Sequence, residues 1–302
     1  MPIYPIGFSI PAEKIVSSVG AKAKIYSSLV PGVLSSYIYN DEDSYYNEYR
    51  QSIFALTCRK AGWDCMRHYE ILACGAIPLF VNSSGIPKDT MTFYPKALLD
   101  RVYGEIIPTI HELGLEGVAA LTKPIADLLL QYTRAKLTTL AMAKYISRVL
   151  ARPVASILIL NIYHTPENAR MEYMRDCTIH GFKKMLGAAC HEYPRIPHLY
   201  TDYSDDIARL YGRGITMTRL LDPSERDEGR DTCVKEDILS HRYDYILYSP
   251  IHGDLPFRDE VFAAYRPEEI IMVCGADEHG VCDAVMRYSG NHVFVREIPN
   301  GI

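Results

Sequence analysis

Residues 76–81 read AIPLFV, a nearly unbroken apolar run that starts immediately after Gly75 and stops at Asn82. An apolar run of this length without alternation suits a strand covered on both faces, as in the parallel sheets of α/β folds. Just upstream, Cys65, Met66, Tyr69, Leu72 and Ala73 recur at helical spacing, and Gly75 stands where a helix would end. The unit therefore reads loop, short helix, glycine, buried strand. Comparable runs recur at 155–163, 243–249, 270–274 and 292–298, so the chain is expected to be α/β.

In open α/β folds ligands bind at the carboxyl edge of the sheet, and the loop at 59–63 is expected there. The helix that follows would offer free N–H groups at its start, Arg67 a fixed cation, and Glu70 a two-oxygen acceptor suited to a ribose diol. One Arg and one Glu on a helix before a buried strand is also ordinary α/β construction. Earlier in the chain, 22–30 reads as a strand that stops at the turn signal Pro31-Gly32.

The second half carries its own candidates. Asp176 and His180 stand four apart on an expected helix from about residue 167, a spacing at which a carboxylate can orient an imidazole for proton transfer. A purely structural pair fits the same spacing. His252-Gly253 directly follows the strand at 243–249, and Asp277-Glu278-His279-Gly280 follows the one at 270–274. Both turns are expected at a sheet's carboxyl edge.

Ser52-Ile53-Phe54 followed by Cys58, Gly62, Arg67, Glu70, Gly75 and Ile77-Pro78 resembles the donor-binding half of exostosin-like glycosyltransferases. The wording GWDCMRHYEILACGAIPLF is closer still to the glycosyltransferases of large algal viruses, the chloroviruses and their relatives. The resemblance implies two Rossmann-like domains facing across a cleft, the GT-B arrangement. Residues 1–150 would hold a nucleotide sugar and 151–302 an acceptor, either an oligosaccharide or a glycoprotein. Arg67 would hold the diphosphate and Glu70 the ribose. Gly62, Trp63 and His68 belong to the same donor-binding stretch, and Gly32 to a loop beside the phosphates. UDP is the expected carrier, with xylose or another capsid-glycan sugar as donor and no metal or other cofactor. His252, Asp277, His180 and Asp176 are the candidate bases. In that family the acceptor half usually comes first, and a segment like HVFVREI leads into one like YPIGFSIP. Here the first lies near the C-terminus and the second near the N-terminus, which suggests a circular permutation with the chain ends close together.

Composition narrows the alternatives. Hydrophobic content of 48% with 23% charged residues fits a globular chain, and a formal net charge of −5 argues against a nucleic-acid partner. No stretch approaches the roughly 20 apolar residues of a membrane helix, and the first residues lack the basic and apolar regions of a signal peptide, so a cytosolic location is expected. The eight cysteines form no CxxC pair and are expected to be free thiols. The 23 tyrosines suit an aromatic core or a carbohydrate groove. A non-catalytic nucleotide-sugar or glycan binding module is the alternative from another class. A nucleotide-sugar epimerase or dehydrogenase is disfavoured, because no GxGxxG follows the first strand.

Several local expectations complete the reading. The acidic tract at 40–43 resembles a carboxylate cluster for a metal, but an N-cap and solvated first turn is the preferred reading. Thr122 is expected to cap a long helix with Pro124 in its first turn. Residues 198–203 and 215–220 read as strands, and 222–232 as a mobile charged loop or lid.

Overall fold

The computed structural model describes residues 3–162, 171–277 and 283–300. Among them the strands are β1 (Ile3–Pro5), β2 (Lys24–Tyr26), β3 (Ser52–Thr57), β4 (Ile77–Phe80), β5 (Ile157–Leu160), β6 (Cys190–Tyr193), β7 (Tyr245–Tyr248), β8 (Ile270–Cys274) and β9 (His292–Val295). They form two all-parallel sheets, one ordered β1-β9-β8-β7-β5-β6 and the other β2-β3-β4. The principal helices are α1 (Glu42–Arg50), α2 (Met66–Ala73), α3 (Lys96–Arg101), α4 (Leu115–Lys136), α5 (Thr139–Val149) and α6 (Tyr173–Leu186).

Alternation along β5, β7, β8 and β9 explains their largely apolar sequences. Ile157, Ile159, Leu247, Ile271, Val273 and Phe294 enter one core, packed under α5 and α6. Leu158, Leu160, Ile246, Met272, Val293 and Val295 enter a second core on the opposite face, beneath the helices Val234–Leu239 and Arg258–Ala264. Both faces are therefore dry, and each fully buried Ile, Leu or Val contributes about 1.5–3 kcal/mol. Strand order reverses direction between β5, whose sequence successor β6 lies on one side, and β7 on the other. Such a reversal is where doubly wound sheets open a crevice at their carboxyl ends.

The chain leaves this sheet after β1 and returns beside its own exit. Ile10 N–H donates to the Leu137 carbonyl at 2.9 Å, and Thr139 N–H donates to the Ile10 carbonyl at 3.1 Å. Between these crossings lies the small sheet, with α4 on one side and α1 on the other. Both β1 and α5 precede residue 150 yet pack with the six-stranded sheet, so the first 150 residues contribute to both sheets. β1 and β9 are parallel neighbours, which sets the first and last described segments side by side; joining them directly would need a crossover, not a hairpin. The loop leaving the carboxyl end of β3 meets the residues leaving the carboxyl end of β9, where Asp64 N–H donates to Glu297 Oε1 at 2.9 Å.

Several local expectations are corrected. The first strand is Ile3–Pro5, and only Lys24–Tyr26 of the expected strand at 22–30 is strand. α4 begins at Leu115 behind Gly114, so Thr122 and Pro124 are interior, and Thr122 Oγ1 donates back to the Val118 carbonyl at 2.7 Å. Residues 198–203 and 215–220 form no strand; the segments touch through one parallel bridge between Tyr200 and Leu221. The charged stretch 222–232 contains the short helix Glu228–Asp231 and is joined to its surroundings by Arg226 to Asp202, Lys183 to the Glu225 carbonyl and His191 to Asp231. α6 runs unbroken through Gly181, where a side chain is excluded because a Cβ would collide with the Thr139 carbonyl oxygen of α5. The expected start of that helix near 167, and the turn residues Glu278 to Gly280, lie outside the described residues. No helix among the described residues is long and apolar enough to cross a membrane.

Candidate functional site

α2 is short because its sequence begins with a non-capping residue and ends at a glycine. Cys65 gives no side-chain acceptor to the first turn, and Gly75 takes φ of +66°, a conformation open to glycine at little cost. Arg67 stands in that uncapped first turn, 8% exposed. Among the described residues its Nη1 finds no hydrogen-bond partner, and the buried Tyr37 hydroxyl lies within its electrostatic reach. A buried guanidinium without a carboxylate partner costs several kcal/mol, roughly, so the arrangement favours an anion.

Glu70, one turn along, is fully enclosed, and burial raises its carboxyl above the ordinary range against the pull of its hydrogen bonds. Tyr45 donates to its Oε2 at 2.7 Å and Thr216 to its Oε1 at 2.6 Å. Both oxygens that would grip a ribose are thus engaged by protein hydroxyls in this conformation. The aromatic wall comes from α1, which places Tyr45, Tyr46 and Tyr49 on one buried face. Asp41 caps α1 by accepting from Ser44 N–H at 2.8 Å, the preferred reading of the acidic tract. Buried tyrosines here and at 69, 94, 200, 245 and 248 make the aromatic excess mainly core.

His68 serves the scaffold. Its Nε2–H donates to the Trp63 carbonyl at 2.8 Å and its Nδ1 accepts from Thr57 Oγ1 at 2.8 Å, so burial holds it neutral and pushes its pKa down to about 3. Trp63 is buried in the core of the small sheet, with Arg59 over its ring. Gly62 is a close-approach residue: a Cβ there would lie 2.5 Å from Glu297 Oε1 and 3.0 Å from Asp277 Oδ1. Gly32, at φ +87°, is open to solvent in its turn.

Asp277 lies half-exposed at the carboxyl end of β8, where Arg296 pairs with it. Arg296 also donates to the Gly275 and Asp64 carbonyls, while Asp64 accepts from Phe8 N–H at 2.7 Å and Tyr69 Oη at 2.9 Å. The structure thereby brings Gly62, Asp277, Asp64 and Arg296 together where the loop after β3 meets the carboxyl ends of β8 and β9. His252 follows β7 and sits with its Nε2 3.4 Å from Cys274 Sγ.

The Asp176–His180 pair does not form. Asp176 accepts from Arg175 at 2.8 Å and from His198 Nε2 at 2.9 Å; burial opposes its charge, but these two partners prevail and hold the carboxyl below its ordinary range. His180 instead meets Thr139 Oγ1 at 2.8 Å, and burial drives its pKa down to about 4. Both are parts of the α5–α6 scaffold.

Sequence reasoning missed Tyr37, Asp64, Thr216 and Arg296. For Asp64 and Arg296 the signal was available as charges embedded in apolar stretches. Thr216 reaches Glu70 from 146 residues away and left none. Among the described residues no group of three or more His, Cys, Asp or Glu side chains is placed to hold a metal, and Cys58, Cys65, Cys74, Cys177, Cys190, Cys233 and Cys274 are free thiols. Compared with family models, with curated proteins and with solved structures, the chain matches none.

Proposed function

We propose that the chain is a glycosyltransferase of GT-B arrangement, resembling those of large algal viruses, that moves a sugar from a UDP-linked donor to a hydroxyl of an oligosaccharide or glycoprotein. Xylose or a similar capsid-glycan sugar is the donor group, and the host cytosol the setting. The observation that carries the reading is Arg67: a buried cation whose Nη1 has no hydrogen-bond partner among the described residues, in the uncapped first turn of a helix behind a parallel sheet. Arg67 and the helix N–H groups would offset charge on the leaving diphosphate, which removes the need for a divalent metal. Glu70 would take the ribose once its hydroxyl partners give way. His252 and Asp277, both at carboxyl strand ends, are the remaining candidates to accept the acceptor proton.

The engagement of Asp176 and His180 in the scaffold favours one alternative, a nucleotide-sugar binder without turnover. A thermal-shift screen against UDP, GDP, CMP and their sugars, with and without EDTA, tests the core of the proposal. A nucleotide at a hundred times its dissociation constant adds ~2.7 kcal/mol of stability. Arg67→Ala is expected to weaken UDP binding about a hundredfold while leaving the fold intact. Normal UDP binding by this variant removes the donor-site assignment, and binding without any transfer or hydrolysis selects the non-catalytic alternative.

A further inference from the structure

The turn that supplies Thr216 runs against ordinary backbone preference. Gly212, Arg213 and Gly214 have φ of +61°, +58° and +67°, and Thr216, a β-branched residue, has +76°. A β-branched side chain is a poor fit to that region, so something outside the turn must hold it. The groups that hold Thr216 itself belong to the small-sheet unit. Thr216 N–H donates to Glu42 Oε2 at 2.6 Å, its hydroxyl donates to Glu70 Oε1, and Tyr46 Oη donates to that hydroxyl at 2.9 Å. Arg213 reaches the Tyr39 carbonyl at 3.3 Å and the Asn40 side chain.

The result at Glu70 has a particular valence. Each carboxylate oxygen accepts one hydroxyl, Thr216 on one and Tyr45 on the other, which is the pattern a vicinal diol imposes on a carboxylate. Three residues earlier on the same helix, Arg67 Nη1 is buried without a hydrogen-bond partner among the described residues. The helix therefore has its diol acceptor filled from within while one buried donor of its cation is left without a hydrogen bond among the described residues.

We infer that residues 212–216 are an internal plug, with Thr216 in the place on Glu70 that a ribose hydroxyl takes, so that the turn withdraws when nucleotide enters. This rests on the donor-site reading of Arg67 and Glu70. Because only the withdrawn form can bind, the apparent dissociation constant exceeds the intrinsic one by the inverse of the withdrawn fraction. Loss of the Thr216 hydroxyl raises that fraction, and return of the left-handed turn to relaxed backbone offsets part of the cost of opening.

The test compares wild type, Thr216→Ala and Thr216→Ser by UDP titration, together with amide hydrogen exchange across 211–219 with and without UDP. The alanine variant keeps the N–H bond to Glu42 and loses the hydroxyl on Glu70. It is expected to bind UDP about tenfold more tightly than wild type, an effect of ~1.4 kcal/mol, while the serine variant binds as wild type does. UDP is expected to speed exchange across 211–219 in wild type. Unchanged or weaker UDP binding by Thr216→Ala overturns the plug. If wild type binds UDP with no change in exchange across the turn, the plug falls and the donor site stands. If none of the three proteins binds UDP, the donor-site reading fails and the plug fails with it.

Discussion

Two buried arginines follow the carboxyl edges of two sheets, and their surroundings differ. Arg175, on α6 behind β5, lies against Asp176 at 2.7–2.8 Å, and Asp176 is held in turn by His198. Arg67, on α2 behind β3, makes no ion pair among the described residues, and its nearest carboxylate on the helix, Glu70, is turned to hydroxyls. Sequence gives both arginines the same standing. What separates them is whether a carboxylate is paired with the charge: Arg175 has Asp176 against it and acts as scaffold, while Arg67 has no ion pair among the described residues and keeps its electrostatic capacity for a ligand.

The comparison breaks most easily at Asp176. Asp176→Ala leaves Arg175 and His198 buried without their shared carboxylate, and is expected to cost ~3–5 kcal/mol, read as a lower urea midpoint at unchanged slope. A loss below about 1 kcal/mol would mean the cluster is not a scaffold, and the contrast with Arg67 would lose its basis. The Arg67→Ala variant sharpens the other side. Its loss is in UDP binding, about a hundredfold, while its urea midpoint is expected to hold or rise because no ion pair is broken. A midpoint that falls as far as that of Asp176→Ala would instead make Arg67 a structural residue.

How much of this was legible varies with the physics of each element. β4, β5, β7, β8 and β9 were readable because strands dry on both faces cannot hide among polar residues. β6, with the sequence CHEY, was not: His191 and Glu192 are buried there only because Tyr243 and Asp231 satisfy one and Lys183 and Tyr200 the other. Thr122 and Pro124 carry the signature of a helix start, yet the apolar residues before them, Val118 among them, pack into the core and extend the helix backward. Arg67 was legible as a cation on the right helix, but its lack of a partner is a tertiary fact. For Asp176 and His180 the spacing was read correctly and the pairing was not, since Arg175, His198 and Thr139 offer each side chain a better-placed partner.

Histidine protonation probes the scaffold side of the same contrast. His68 and His180 are pushed down to about 3 and about 4 by burial, against an ordinary value of 6.5, so between those limits the unfolded chain binds protons that the folded chain refuses. Their stabilising effect is complete above pH 6.5 and falls as the pH drops toward 4, at up to ~1.4 kcal/mol per pH unit for each histidine. Glu297, raised to about 7 chiefly by burial, acts in the opposite sense between pH 4.5 and 7 and partly masks the slope. Comparison with His68→Gln isolates the histidine contribution: the variant is expected to be less stable at pH 7 and to lose less stability on acidification to pH 5. Parallel stability curves for the two proteins would show that His68 titrates alike in both states.

The smallest expected effect concerns the cap that positions the aromatic wall around Glu70. Asp41 accepts from Ser44 N–H at 2.8 Å and from Ser44 Oγ at 2.7 Å at the start of α1, and those bonds hold its carboxyl below the ordinary range. It lies on the surface, four residues before Tyr45. Asp41→Ala should therefore lower the urea midpoint only slightly, as loss of an exposed N-cap does, and leave UDP affinity and its insensitivity to EDTA unchanged, because Tyr45, Tyr46 and Tyr49 are fixed by burial and not by the first turn. Loss of UDP binding out of proportion to that small destabilisation would relocate part of the donor site to the acidic tract. New sensitivity to magnesium would do the same. Either result would also weaken the distinction between paired and unpaired charges, since a carboxylate that looks fully employed as a cap would then be serving the ligand.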